Sequence, residues 1–205
     1  MRITSIRQQI KTPDRYSIYV DEKYAFSLSA KTLLESKLTK GQELDSAELT
    51  VLKDQASFDK AYYGAVFLIA RRSRSSWEMT TYLKRKNYSL DVQKRVQQKL
   101  ITTGLLDDKK FARAWVENRK LLKPTSKRRL TQELRQKHVE DTVINEVIRT
   151  ADIEESQILR DMVASKRRQS RYQDDIKLTQ YLVRKGFSYE DIKNVLSEAV
   201  GGEDV

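Results

Sequence analysis

The chain has 205 residues with a formal net charge of +11, 34% charged residues, 6 glycines, 2 prolines and no cysteine. With a mean hydropathy of −0.69, this composition is typical of an extended, helix-rich protein and disfavours a compact α/β enzyme. The lack of cysteine excludes a disulfide framework, a thiolate nucleophile and a cysteine-based zinc site. No apolar run approaches the roughly 18 residues of a membrane span. The start of the chain lacks the apolar core of a signal peptide, so we expect a cytoplasmic protein with no membrane partner.

The first 45 residues predict a small antiparallel sheet. Apolar and polar residues alternate in 15–20 and again in 24–28, which is the period of half-buried strands. Residues 21 and 22 form a tight polar link, and 2–10 supplies a third strand before the turn at Thr12-Pro13-Asp14. Three strands are marginal alone, so we expect them to pack on a short helix over 30–36.

From residue 45 onward the pattern is helical. Asp45 and Glu48 form a capping box that starts a helix through Leu49 and Leu52. A second apolar stripe begins at Phe58 and predicts a helix of at least three turns; it consists of Phe58, Ala61, Tyr62, Ala65 and Ile69. Ser75 with Glu78 caps the next helix, which ends near Lys86, and a further helix spans about 91–102.

Two more helical segments follow. After Gly104, an aspartate at 107 or 108 caps a helix that Pro124 stops, with Phe111, Ala114, Trp115 and Asn118 on one face. The last segment carries helices through 159–166 and 176–185, and then a helix opened by Ser188 with Asp191.

One phrase occurs three times at intervals of about fifty residues, in 82–88, 133–139 and 181–187. Each copy contains a leucine in second position (Leu83, Leu134, Leu182) and is followed by a spaced apolar pair: Val92 and Val96, Val143 and Val147, Ile192 and Leu196. Asn87, His138 and Gly186 hold the equivalent turn, which suits a left-handed residue. Such self-similarity indicates stacked units that bury their apolar faces against one another.

The predicted fold class is therefore mainly α: tandem three-helix repeats in an elongated, curved array, preceded by a small N-terminal antiparallel β-sheet. We expect a sheet region with a short helix over 1–45, a first repeat with its preceding helix over 46–103, a second repeat over 104–150, a third over 151–200 and a disordered tail over 201–205. Function is then expected along a surface and not in a pocket.

The positive charge belongs to the repeats. Residues 1–60 hold 10 Lys and Arg against 9 Asp and Glu, so the other 145 residues hold 30 against 20. The cations form three clusters between the first and second helices of the repeats: Arg71, Arg72 and Arg74; Arg119, Lys120, Lys123, Lys127, Arg128 and Arg129; Lys166, Arg167, Arg168 and Arg171. A periodic basic stripe predicts a polyanion or an acidic protein surface as partner.

Simpler interpretations remain open. Basic residues near helix ends complement the helix dipole and keep a face solvated, which also explains Lys84, Lys86, Lys137 and Lys185. The aromatic residues on helical stripes predict core packing, with base stacking as the alternative; they are Trp77, Tyr82, Phe111, Trp115 and Tyr181.

No enzyme site is predicted, and no cofactor or metal. His138 is the only histidine and falls at a helix-closing turn, where a solvated turn residue explains it. The acidic pairs at 107–108, 154–155 and 174–175 precede helices, so capping explains them without a metal. The chain has no glycine-rich phosphate loop and no nucleophile, base and acid in a suggestive spacing.

Several stretches resemble the RecX family of recombination regulators. They are 15–27 with 40–44, 68–86, 104–112 and 184–188, and together the resemblance covers nearly the whole chain up to about residue 200. Two departures are the loose match at 67–71 and His138, where a small turn residue is commoner. Longer members of the family carry a further repeat for which 205 residues leave no room.

The resemblance implies a regulator of homologous recombination and DNA repair that lies in the groove of the RecA filament on DNA. It would bridge successive subunits and limit filament growth, ATP turnover and strand exchange. The partners would be the RecA filament and, weakly or indirectly, single-stranded DNA, with the regulator acting as a monomer. Whether the basic stripe contacts RecA or DNA stays open. A general DNA- or RNA-binding helical-repeat protein is the alternative, and a passive scaffold is a third interpretation that leaves the basic clusters unexplained.

Overall fold

A computed structural model of the chain describes residues 1–200, with side chains described through residue 198. Over that range the protein has ten α-helices and one three-stranded sheet, and this confirms the predicted fold class, mainly α with a small antiparallel sheet. The expected disordered tail at 201–205 lies outside the described residues. The strands are β1 (Ile3–Gln8), β2 (Arg15–Val20) and β3 (Lys23–Ser29). The helices are α1 (Ala30–Ser36), α2 (Ser46–Arg71), α3 (Ser76–Arg85), α4 (Leu90–Thr102), α5 (Asp108–Leu122), α6 (Lys127–Gln136), α7 (Asp141–Thr150), α8 (Glu155–Arg167), α9 (Asp175–Arg184) and α10 (Tyr189–Val200).

The sheet is antiparallel in the order β1, β2, β3. Asp21 and Glu22 link β2 to β3 with φ angles of 47° and 66°, the left-handed geometry of a two-residue hairpin turn. The predicted turn before β2 also forms, because the Arg15 N–H donates to the Thr12 carbonyl at 2.9 Å. The first strand is shorter than the predicted 2–10, and Ile10 is 97% exposed beyond its end.

The sheet packs on the short helix α1, as the sequence predicted, and also on the first half of α2. In α1, Thr32 is buried and Leu33 packs against the sheet core, while Leu34 is 78% exposed. The core under the sheet is completed by the chain that follows α1 and by the first half of α2, through Leu38, Leu44, Leu49, Leu52 and Ala56.

The two helical stretches predicted after residue 45 form one helix of 26 residues, α2. The predicted capping box starts it: the Glu48 N–H donates to Asp45 Oδ1 at 2.7 Å and the Asp45 N–H donates to Glu48 Oε2 at 2.8 Å. No glycine or proline interrupts residues 52–58, so the helix continues. Its first half covers the sheet, and its second half buries Ala61 and Ala65 against α3 and α4.

A buried ion pair fastens α2 to the sheet. Arg15 and Asp59 are 5% and 8% exposed, and Arg15 Nη1 lies 3.0 Å from Asp59 Oδ2. Asp59 also accepts hydrogen bonds from the Ser29 N–H, the Ser29 hydroxyl and the Thr32 hydroxyl, each at 2.7 Å. Both carboxylate oxygens therefore accept hydrogen bonds from protein groups, and these bonds offset much of the free energy that burying the charge costs.

The repeated phrase forms α3, α6 and α9 and the turns that close them. Asn87, His138 and Gly186 have φ angles of 57°, 54° and 93°, which confirms the predicted left-handed turn. The next N–H in each copy donates back to the carbonyl of the leucine five residues earlier: Tyr88 to Leu83 at 3.4 Å, Val139 to Leu134 at 3.2 Å and Phe187 to Leu182 at 3.3 Å. All three leucines are 0% exposed, so the helix-closing turn and the core residue coincide in every repeat.

Some predicted faces differ in detail. On α5 the buried residues are Phe111, Ala112 and Val116, whereas Asn118 is exposed and donates to the Ala114 carbonyl. Trp77 is 41% exposed and does not belong to the core, contrary to the prediction for the aromatic residues. Phe111 is buried, and Tyr82, Trp115 and Tyr181 are half-buried against their cores.

The chain divides into two compact units at Leu106 and Asp107. The first contains the sheet core and the core of α2, α3 and α4. The second contains one core around α5, α6 and α7 and another around α8, α9 and α10, with Ile158 packed against both. The finer division into four folded segments and the curved array stay predictions.

Within the second unit, the start of α6 docks on the turn that closes α9. The Ser126 and Thr125 hydroxyls donate to the Lys185 carbonyl at 3.0 and 2.9 Å. Ser126 Oγ also accepts the Arg129 N–H at 3.1 Å, so this buried side chain caps one helix and ties it to another. A Cβ on Gly186 would lie 2.3 Å from Ser126 Oγ and 3.1 Å from the Arg129 nitrogen. Position 186 therefore requires glycine for two reasons: its φ is positive, and there is no room for a Cβ.

Replacing Asp59 by alanine should destabilise the first unit by about 3 to 5 kcal/mol, because Arg15 would remain buried without its counter-charge. Glu35→Ala is the control, since Glu35 pairs with Lys31 in a pair whose side chains are 62% and 82% exposed. We expect a change below about 0.5 kcal/mol for the control. Urea unfolding of both variants makes the measurement, and equal losses would contradict the role given to the buried pair.

Gly186→Ala should destabilise the second unit by about 2 to 4 kcal/mol, through the left-handed backbone penalty and the overlap with Ser126 and Arg129. Gly104→Ala provides a matched control, because Gly104 has a φ of 68° but nothing within 4 Å of an added Cβ. The control should cost roughly 1 kcal/mol, the backbone term alone. Hydrogen exchange of α6 and α9 checks the assignment, and unchanged protection of these helices in Gly186→Ala would refute the docking.

Candidate binding surface of the basic clusters

The three basic clusters lie where the sequence predicts, at the end of the first helix of each repeat, in the connection and at the start of the second helix. Arg71 ends α2, and Arg72 and Arg74 follow it before α3. Arg119 and Lys120 belong to the last turn of α5, Lys123 follows the helix, and residues 127–129 open α6. Lys166 and Arg167 end α8, while Arg168 and Arg171 lie before α9.

The three arginines of the first cluster have different environments. Arg72 makes a bidentate pair with Glu78, with Nη1 and Nη2 at 2.9 and 3.1 Å from the carboxylate oxygens. The Nε of Arg74 is buried and has no hydrogen-bond partner among the described residues. Burial is the largest cause that lowers the pKa of Arg74, followed by repulsion from Arg72. Arg71 is exposed, with its guanidinium 6.0 Å from the Phe67 ring, and is the member best placed to reach a partner.

The second cluster is organised by Glu133, whose side chain is only 12% exposed. Glu133 Oε2 accepts from Arg119 Nε at 2.7 Å and from Trp115 Nε1 at 2.9 Å, and Oε1 lies 3.5 Å from Arg129 Nε. The Arg119 guanidinium also lies 5.2 Å from the centre of the Trp115 ring. Two arginines from successive helices are thereby held side by side through their Nε atoms. Their Nη groups are left for other partners.

These arginines line a cleft of about 320 Å³ between the second and third repeats. The helix α9 contributes Tyr181 and Arg184 to the cleft, and Lys185, the residue directly after α9, also lines it. The full lining is Arg119, Lys123, Thr125, Arg129, Glu133, Tyr181, Arg184 and Lys185. Five basic side chains against one carboxylate give the cleft a net charge of +4.

Of the eight residues that line this cleft, the sequence predicted only Arg119, Lys123 and Arg129 as partner-binding residues, and it missed Glu133, Arg184 and Lys185 among the charged ones. Glu133 occupies the position of Tyr82 and Tyr181 in the repeated phrase, and this replacement of an aromatic residue by an acid was the available signal. Arg184 and Lys185 come from the third repeat, and only the docking of α6 on the turn after α9 brings them close to residues 119–129. No local pattern in the sequence predicts that proximity.

In the third cluster, one arginine is again tied internally. Arg167 donates to the Gln173 carbonyl at 2.6 Å and forms an ion pair with Asp175. Lys166 lies between two tyrosine rings, 5.5 Å from the centre of Tyr172 and 5.1 Å from that of Tyr181. Arg168 and Arg171 are exposed. Among the described residues neither of these two arginines has an ion-pair partner, and the Arg171 guanidinium lies 5.7 Å from the centre of the Tyr172 ring.

The acidic pairs act mainly as helix caps, as predicted. Asp107 accepts the N–H groups of residues 109 and 110, and Asp174 those of 176 and 177. Glu154 makes no side-chain cap. Glu155 Oε1 instead accepts the Lys127 N–H at 3.2 Å, which joins α8 to the start of α6.

The part of the chain that the structure describes contains no group of three or more His, Asp or Glu side chains arranged to hold a metal ion. None of its helices combines the length and the apolar character that crossing a membrane requires.

Comparison with known proteins matches three family models to separate parts of the chain. Residues 1–45 match the regulatory protein RecX N-terminal domain, 107–148 the second three-helix domain of RecX, and 154–196 its third three-helix domain. Among curated relatives, Regulatory protein RecX of Bacillus pumilus is 30% identical over 207 residues, which cover 98% of this chain and 79% of the relative. Regulatory protein RecX of Lactobacillus johnsonii is 33% identical over 153 residues, covering 75% of this chain and 56% of that relative.

Two crystal structures share the fold. One of regulatory protein RecX has a TM-score of 0.72 at 24% identity and covers 96% of this chain and 98% of its own. One of RecX from Lactobacillus salivarius has a TM-score of 0.60 at 20% identity, covering 69% of this chain and 96% of its own. Matching domains in the same order, an identity of 30% over nearly the full length and a common fold lead to one conclusion: the chain belongs to the RecX family of regulatory proteins.

Proposed function

We propose that this protein regulates homologous recombination and DNA repair by binding the RecA filament on DNA and limiting its growth, ATP turnover and strand exchange. Family membership supports the regulatory role. The observation that carries the proposal is the recurrence of a basic cluster at the same point of successive repeats, near residues 71, 119–129 and 166–171. A filament presents the same surface at every subunit, so a chain with periodic contacts gains affinity by multivalent attachment.

The clusters supply exposed cations for this binding. Arg71, Lys127, Arg128, Arg168 and Arg171 are all exposed. Each cluster also has at least one arginine in an internal ion pair: Arg72 with Glu78, Arg119 and Arg129 with Glu133, and Arg167 with Asp175. The exposed cations can change partners without cost to the fold, because surface substitutions usually alter stability by less than about 0.5 kcal/mol. This protein would act as a regulator and not as an enzyme.

A general nucleic-acid binder is the second candidate, favoured by the net charge of +11 and by the cleft beside Glu133. The two candidates differ in how affinity depends on partner and salt. Binding to DNA phosphates alone would give bare DNA and the filament similar affinities with parallel salt dependence. Docking on the filament adds short-range packing to the screened charge interaction, so the filament should bind far more tightly than bare DNA.

We expect the wild-type chain to bind RecA-coated single-stranded DNA strongly near physiological salt and bare single-stranded DNA weakly. The variant Arg128→Gln with Arg168→Gln removes two exposed cations from two clusters and should weaken filament binding by about tenfold, mainly through slower association. Lys11→Gln with Lys53→Gln removes the same charge at exposed sites outside the clusters and should change affinity by less than about threefold. A salt titration of both complexes makes the comparison.

Two results would overturn the proposal. Equal affinities for filament and bare DNA, with parallel salt slopes, would identify a general nucleic-acid binder. Equal losses in the cluster variant and the control variant would show that net charge acts without the periodic clusters.

A further inference from the structure

We propose that Glu133 is a positioning residue that turns the cleft between the second and third repeats into a clamp for consecutive phosphates of a nucleic-acid strand. The inference deepens the proposed function, on which it rests, by assigning one part of the basic surface to the nucleic acid and not to the RecA protein. It concerns the residues that line the cleft, of which Arg184 and Lys185 lie outside the three basic clusters.

The first argument is the direction in which the arginines are fixed. Glu133 engages Arg119 and Arg129 through their Nε atoms, at 2.7 and 3.5 Å, and both residues line the cleft. A guanidinium held through Nε still offers the two donors of its Nη edge to a phosphate or a carboxylate. The carboxylate itself is held by Trp115 Nε1 at 2.9 Å, so the pair of arginines is aligned before any ligand arrives. Such alignment reduces the entropy lost on binding.

The second argument is the charge that the cleft leaves unbalanced. Lys123, Arg184 and Lys185 form no ion pair among the described residues, and Arg119 and Arg129 share one carboxylate. A net charge of +4 in a cleft of about 320 Å³ is far more than one inserted acidic side chain can neutralise. A nucleic-acid strand carries a negative charge on every nucleotide, so a few consecutive phosphates match this density without any special sequence.

The third argument is the rigidity of the walls. The α6 wall is fixed to the α9 wall by the Ser126 and Thr125 hydroxyls on the Lys185 carbonyl. The Lys185 ammonium lies 5.5 Å from the centre of the Tyr181 ring, which keeps it beside the cleft. Backbone phosphate contacts fix the position of a protein on a strand without reading its bases. A clamp of this kind suits a regulator that must follow a filament on DNA of any sequence.

The test measures the binding of the full chain to a fluorescent oligothymidylate of about 12 nucleotides at low salt, by anisotropy. The cleft variant Arg184→Gln with Lys185→Gln keeps the Lys185 carbonyl that α6 needs, and should bind on the order of tenfold more weakly. Its salt slope should be shallower by about 1.4, the value for two lost contacts with a single strand. Lys177→Gln with Lys193→Gln is the control, because it removes equal charge from exposed positions of the same repeat outside the cleft. It should bind within about threefold of the wild type with an unchanged slope.

Glu133→Gln separates positioning from charge. It raises the net charge of the cleft from +4 to +5, so attraction alone predicts tighter binding. Loss of the aligned arginines predicts weaker binding by several-fold, which is the result we expect. Thermal unfolding of each variant verifies that it is folded, and Arg129→Gln, which leaves Glu133 bound to Arg119, should also weaken binding if Glu133→Gln is unstable.

Three results would overturn the clamp: tighter binding of Glu133→Gln, equal losses in the cleft and control variants, or stronger competition by an oligoglutamate than by an unlabelled oligothymidylate of equal charge. The last would assign the cleft to an acidic protein surface. A failure of the proposed function would give a different result. Binding of the oligonucleotide would still depend on the cleft residues, but the RecA-coated strand would bind no more tightly than the bare strand.

Discussion

The helix-closing turn of the repeated phrase is the constraint on which the rest of the structure depends. In each repeat a left-handed residue, Asn87, His138 or Gly186, follows the second helix. The N–H after it returns to the carbonyl of a leucine that is completely buried. One short segment thus ends a helix, directs the chain into the next helix and anchors both to the core. In the second unit the turn at Gly186 also receives the start of α6, so the same geometry joins one repeat to the next.

The position of the basic clusters follows from this arrangement. The apolar faces of the helices are used in the cores, so the end of each first helix and the start of each second helix remain available for polar side chains. The negative end of the helix dipole, at the C-terminus, also stabilises cations placed there. Crowded cations repel one another, and in each cluster one carboxylate offsets part of this repulsion: Glu78, Glu133 and Asp175. Each cluster therefore combines an arginine held in an internal ion pair with exposed cations next to it.

Much of this architecture could be predicted from the sequence, because its causes are local. The alternation of polar and apolar residues at 15–28 predicted two strands, and capping residues predicted the starts of helices. The three copies of one phrase predicted the repeats. The prediction went wrong where long-range packing decides. It divided α2 into two helices, did not anticipate that α2 also covers the sheet, and put Trp77 and Asn118 on buried faces. The lack of glycine and proline in 52–58 allows a continuous helix, but only long-range packing shows that α2 contributes to two cores.

The candidate site shows the same division. The clusters were visible as runs of Lys and Arg, but their internal pairing and the cleft were not, since residues from 115 to 185 meet there only after folding. Arg72, Arg119 and Arg167 were predicted as partner-binding cations, and the structure places each of them in an internal ion pair. Their place in partner binding remains a prediction. The resemblance to the RecX family, in contrast, was evident from short stretches and is confirmed over most of the chain.

The most direct test of the account is hydrogen exchange of the chain, free and bound to RecA-coated single-stranded DNA. The account predicts new protection on the filament at three places about fifty residues apart, around 71–74, 119–129 and 166–171. The N–H groups of Tyr88, Val139 and Phe187, which are bonded to buried leucines, should already be protected in the free chain. Protection confined to one of these segments, or the same pattern on bare DNA, would contradict the claim that periodic clusters on stacked repeats recognise the filament.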